Sequence, residues 1–138
     1  MKPSLGISAK LALALAAVFG VLYLSIGIMW LVQPAVIAGL LGATLLKGAG
    51  LATQLGDSAA FFLCSGVFML FGVLRRRPSF LLAGAWLVGL AAPARIIAWL
   101  GHGAVLTLEP IIVEVVTFLV VFAAARSLKS SLSATVAE

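Results

Sequence analysis

The chain has 138 residues, 64% of them hydrophobic and only 9% charged, and it carries a formal net charge of +5. Soluble domains average about 45–50% apolar and about 25% charged residues, so this composition excludes an ordinary water-soluble globule. The length allows one domain, residues 1–138, whose useful subdivision is the number of segments of about 20 apolar residues that can cross a hydrocarbon layer about 30 Å thick.

Four such segments are expected. The first, residues 11–32, follows Lys10 and stops at Gln33 and Pro34. A cleaved signal peptide, with Lys2 and Lys10 as its charged region, is the rival reading of this stretch. The apolar run of about 22 residues exceeds the roughly 7 to 15 of such a segment, and no A-x-A site follows. The first helix is therefore expected to stay as a membrane anchor.

Residues 33–57 are too many for a simple turn and too apolar for an ordinary exposed loop. The stretch AVIAGLLGATLL is expected to form a short interfacial or re-entrant helix, with Gly48, Gly50 and Gly56 marking flexible backbone before the second span. Gly48 and Gly50 do not make a phosphate loop, because no G-K-[ST] follows them. The second span, 58–74, opens at Asp57 and is closed by Arg75, Arg76 and Arg77, which read as a stop signal. The third, 79–100, begins after Pro78 and carries Pro93 and Arg95 in its second half; the fourth, 104–125, has Pro110 near its start and Arg126 at its end. Proline suits a first helical turn, where its missing N–H has no partner to lose.

Basic loops are retained on the cytoplasmic side. With the N-terminus inside, that side collects Lys2, Lys10, Arg75, Arg76, Arg77, Arg126 and Lys129, against Lys47 alone outside. The expected fold is an all-α, integral membrane four-helix antiparallel bundle, N-in and C-in. The positive charge is then accounted for by topology and by attraction to anionic headgroups, so membrane lipid is the expected partner and nucleic acid is not. Small residues at four-residue spacing, Ala16 and Gly20, Ala60 and Cys64, Ala85 and Gly89, let helices approach closely in lipid. Whether some of these faces serve a homo- or hetero-oligomer stays open on sequence.

Little else looks like chemistry. Cys64 is the single cysteine and His102 the single histidine, so neither a thiolate cage nor an imidazole cluster for a metal is available; no metal and no cofactor are expected. Cys64 reads as a small buried apolar residue. Trp30 and Trp99 fall near span ends, where interfacial anchoring explains them.

Ionisable residues within spans are costly and mark pairs or functional sites. Two are placed there, Arg95 and Glu114. At about 1.5 Å per residue, Arg95 lies about 27 Å from the Arg77 end and Glu114 about 18 Å from the Arg126 end, a gap that two extended side chains reaching toward each other largely close. Pro93 removes the donor for the Gly89 carbonyl and is expected to kink the helix beside Arg95. Toward the outer boundary the polar cluster extends to His102, Glu109 and Asp57. Together the five residues either line a pocket or divide into a structural Arg95–Glu114 strut and solvated neighbours.

Four spans, a proline soon after the first, the stretch ARIIAWLGHG in the third and IIVEVV in the fourth resemble the bacterial membrane proteins grouped as domain-of-unknown-function family 4345. The likeness covers roughly residues 15–128. In that family an arginine on the third span, a glycine after it and a glutamate on the fourth recur, which the resemblance carries onto Arg95, Gly101 or Gly103, and Glu114. A basic residue common near the family's second span is here Asp57, which sets any shared outer pocket apart. The resemblance implies a bacterial cytoplasmic membrane location and supplies no activity.

Three functions compete, of which the first is the expected one and the second its alternative. An accessory or structural subunit needs only the bundle and the Arg95–Glu114 pair. A small carrier or lipophilic-ligand binder uses a polar pocket at Arg95, Glu114 and His102. An enzyme ranks last, because no nucleophile–base pair or metal constellation supports one.

Overall fold

The structure, a computed structural model, describes residues 6–136, with side chains described to Ala134. Lys2 lies outside the described residues. Five helices follow one another: α1 (Ile7–Val32), α2 (Pro34–Leu40), α3 (Gly48–Leu74), α4 (Pro78–His102) and α5 (Leu108–Val136). All but α2 are long and apolar enough to cross a membrane.

The chain breaks where backbone sterics require it. Proline disfavours the helical conformation in the residue before it, so α1 ends at Gln33 (φ −137°, ψ 62°) and Pro34 restarts the chain as the first residue of α2. Arg77 and Pro78 repeat the arrangement between α3 and α4. There the N–H of Arg77 bonds the Gly72 carbonyl at 2.9 Å and that of Arg76 bonds Val73 at 3.3 Å, a Schellman closure. Arg76 takes the left-handed position (φ 50°) that glycine usually occupies, at about 1–2 kcal/mol of local strain. Gly103 (φ 69°) fills the same slot at the end of α4 without that cost.

α1 packs on α3, α3 on α4, α4 on α5, and α5 returns to α1. This closed ring is a four-helix antiparallel bundle, in which each long helix runs opposite to the next. In each span only 28% of an apolar 18-residue stretch is buried inside the protein, as expected where lipid is the solvent on the outer side. The main core, including Tyr23, Met69, Leu81, Val88, Val121 and Leu128, runs down the axis. A second cluster, Trp30, Ile37, Ala38 and Ala59, pins α2 against α1 and α3.

Close approach of α1 and α3 depends on glycine. A Cβ on Gly66 would stand 2.5 Å from the Leu24 amide nitrogen, and one on Gly27 would stand 2.7 Å from that of Leu63. Both obstacles are backbone, which has nowhere to move.

Several boundaries differ from the sequence reading. α3 starts at Gly48 rather than near Ser58, because 48–57 continue the helix and Gln54 ties the preceding loop to it: its Oε1 accepts from the Leu46 N–H at 2.9 Å and its Nε2 donates to the Thr44 carbonyl at 3.1 Å. α5 starts at Leu108, not near Ala104, and passes Arg126 to reach Val136. No glycine or proline follows Arg126 to stop it. The small-residue stripe on α3 uses Ala59 and Gly66, whereas Ala60 and Cys64 are exposed; the expectation of a buried Cys64 is thus corrected by its helical phase. Trp30 is 2% exposed and belongs to the core under α2 instead of anchoring at an interface; Trp99 is exposed. α4 continues through Pro93, an exposed residue, so the proline interrupts one rung of the ladder without ending the helix.

Candidate functional site

At the end of the bundle that carries α2 and the α4–α5 connection lies a pocket of about 660 Å³. All four long helices contribute to it: Tyr23 from α1, Phe62 from α3, Arg95 from α4, and Val113 and Glu114 from α5. The end of α2, through Gly39 to Gly42, and residues 106–107 complete the wall. A mostly apolar concavity with a few convergent polar groups is the usual form of a small-molecule site.

Arg95 and Glu114 meet at its wall. The Arg95 Nε–H donates to Glu114 Oε1 at 2.8 Å, and it is the only ion pair among the described residues. The level of the two residues follows from the true length of α5. At the opposite end Pro78 lies beside Leu132 across a smaller groove. Arg95 is seventeen residues beyond Pro78 and Glu114 eighteen before Leu132, so both stand about 26 Å from that end. The offset of about 9 Å expected from sequence came from treating Arg126 as the end of the helix.

The two partners are unequally placed. The Glu114 side chain is 7% exposed and that of Arg95 40%. Glu114 Oε2 is buried without a hydrogen-bond partner, and the two terminal guanidinium nitrogens of Arg95 have no partner among the described residues. One turn along α5 on the same face, Thr117 is fully buried and its Oγ1 is also unpaired. The Tyr23 phenol stands next to Thr117, but their contact does not satisfy the threonine hydroxyl. Buried polar atoms are normally paired; of the three described side-chain polar atoms that are buried without a partner, Glu114 Oε2 and Thr117 Oγ1 lie together at this ion pair, and the third, Trp30 Nε1, lies in the second core cluster.

Aromatic packing fixes the position of Tyr23. Its ring centroid is 5.5 Å from that of Phe62, which in turn meets Phe61 edge-on at 5.0 Å. Offset and edge-on contacts at such distances are favourable, and they hold the phenol against the pocket from the α1–α3 side.

Of the five polar residues singled out from sequence, Arg95, Glu114 and Glu109 line the pocket. Glu109, exposed, lies in the first turn of α5, where a carboxylate suits the helix dipole. His102, the last residue of α4, and Asp57, within α3, are both exposed and neither lines the pocket. Among the described residues no group of histidine, cysteine and carboxylates is arranged to hold a metal ion. Sequence reasoning passed over Tyr23, Phe62 and Thr117. A signal existed for two: Tyr23 is the single tyrosine in the chain, and Thr117 follows Glu114 by three positions, the spacing of one helix face. Comparison with family models, with curated proteins and with solved structures finds no match to this chain.

Proposed function

We propose that this small multi-pass membrane protein is a binder of lipophilic small molecules, holding an amphiphile in the pocket walled by Tyr23, Phe62, Arg95 and Glu114. The observation that carries the reading is the pocket itself, about 660 Å³, within the roughly 300–1,000 Å³ typical of ligand sites. It joins apolar walls to a guanidinium that is half-exposed and only partly bonded. The ligand's apolar body lies against Phe62, Val113 and the α2 end, and its polar head faces Arg95.

The Arg95–Glu114 pair also acts as a strut that holds α4 against α5, whatever the pocket contains. A purely accessory or structural subunit needs that strut and no pocket. Its exposed leucines and valines are what any lipid-facing helix presents, so they single out no partner subunit. Placement in a bacterial cytoplasmic membrane, N-in and C-in, and membership of the four-helix family that the chain resembles belong to the same proposal; the one-sided distribution of basic residues supports the orientation, and the stretches ARIIAWLGHG and IIVEVV support the membership and the location.

Native mass spectrometry of the protein released from membranes tests the reading. The wild type is expected to retain a bound amphiphile, and Val113→Trp, which fills the pocket from α5, is expected to lose it while remaining folded. Equal retention by both proteins would overturn the proposal.

A further inference from the structure

Resting on the amphiphile reading, we infer that the ligand's head is uncharged and carries a hydroxyl, which accepts from the Arg95 guanidinium and donates to the Glu114 carboxylate. Charge is the first argument. Arg95 is the only cation on the pocket wall, and Glu114 and Glu109 are both carboxylates, so the site is negative overall. An anionic head, such as a fatty-acid carboxylate, would meet Arg95 already neutralised by Glu114 and would also face Glu109. A cationic head would be drawn to the carboxylates, but it would sit against a guanidinium, and like charges in a partly desolvated site repel strongly.

Hydrogen-bond inventory is the second argument. Arg95 uses Nε for Glu114 and leaves its terminal nitrogens, which can only donate, without a partner among the described residues. Glu114, more than nine-tenths buried, can only accept as a carboxylate, and one of its two oxygens has no donor. A group placed beside this pair must therefore accept on one side and donate on the other. A hydroxyl does both with one atom, whereas an ether or ketone oxygen only accepts and an ammonium only donates. The apolar remainder of the pocket takes the chain attached to it. The ligand class is thus a long-chain alcohol, a monoacylglycerol or another hydroxyl-headed lipid.

The test compares heads on one tail. In nanodiscs, a Val113→Cys protein in a Cys64→Ala background places a thiol on the pocket wall, and occupancy is read as protection of that thiol from a maleimide. The probes are 1-dodecanol, dodecyl methyl ether, dodecanoate and dodecylammonium. Dodecanol is expected to protect at a concentration about tenfold or more below the ether, the ratio that one hydrogen bond to a charged group supplies, and below both ionic probes. If the ether matches the alcohol, or dodecanoate or dodecylammonium protects best, the hydroxyl assignment is overturned and the amphiphile pocket stands. If no dodecyl compound protects even when the bilayer is saturated, the amphiphile reading itself falls and the assignment falls with it.

Discussion

The unequal burial of Arg95 and Glu114 predicts an asymmetry between two substitutions that look equivalent on paper. Arg95→Gln leaves Glu114 at 7% exposure with no cation, and a stranded buried charge costs about 3–5 kcal/mol. Glu114→Gln leaves Arg95, whose side chain is 40% exposed at the pocket. There the guanidinium stays hydrated and the amide still accepts a hydrogen bond, so the loss is about 1–2 kcal/mol. Combining the two places amide against amide, and the double variant is expected to recover much of the loss seen in Arg95→Gln, a coupling of about 3 kcal/mol, at the top of the range for residues in contact. Unfolding by SDS in mixed micelles, followed by circular dichroism, ranks the variants. The expected order is wild type, Glu114→Gln, the double variant close to it, and Arg95→Gln last. Equal losses from the two single variants, or strictly additive losses in the double variant, would refute the unequal pair.

Three further predictions concern the frame around the pocket. Gly66→Ala forces a methyl to within 2.5 Å of the α1 backbone and is expected to cost about 1–3 kcal/mol in the same unfolding assay. Gln54→Ala removes both bonds that tie residues 44 and 46 to α3; amide hydrogen exchange is expected to accelerate in 43–47 while the spans remain protected. Cys64, exposed on α3 in the middle of a span, faces lipid, where the reactive thiolate does not form, so it is expected to resist both a maleimide and a charged, impermeant thiol reagent until SDS unfolds the protein. Rapid reaction of the folded protein with the charged reagent would place that face in water.

The spans were legible in the sequence because their length and apolarity leave no soluble alternative, and the breaks at Gln33–Pro34 and Arg77–Pro78 follow from proline sterics. The helical stretch 48–57 was not, since glycine, threonine and glutamine lower its apolarity and the Gln54 tie is a tertiary contact. The continuation of α5 past Arg126 was hidden by reading a charge as a terminus. The identity of the ion pair was legible from the scarcity of charges; its common level and its unequal burial depend on where α5 ends and on how α1 and α3 close the site. Tyr23 and Thr117 enter the site only through helix packing, because α1 and α5 are distant in sequence and adjacent in the ring.

The central claim is that the partly bonded guanidinium of Arg95 faces a ligand. It is tested most directly by side-chain ¹⁵N NMR of the protein in nanodiscs, which avoid detergent because detergent is itself an amphiphile. Addition of 1-dodecanol is expected to shift the Arg95 guanidinium resonances in a saturable way and to leave those of Arg75, Arg76, Arg77 and Arg126, at the opposite end of the bundle, unmoved. Arg95 resonances that do not move at bilayer saturation, or that move together with all the other arginines, would contradict it.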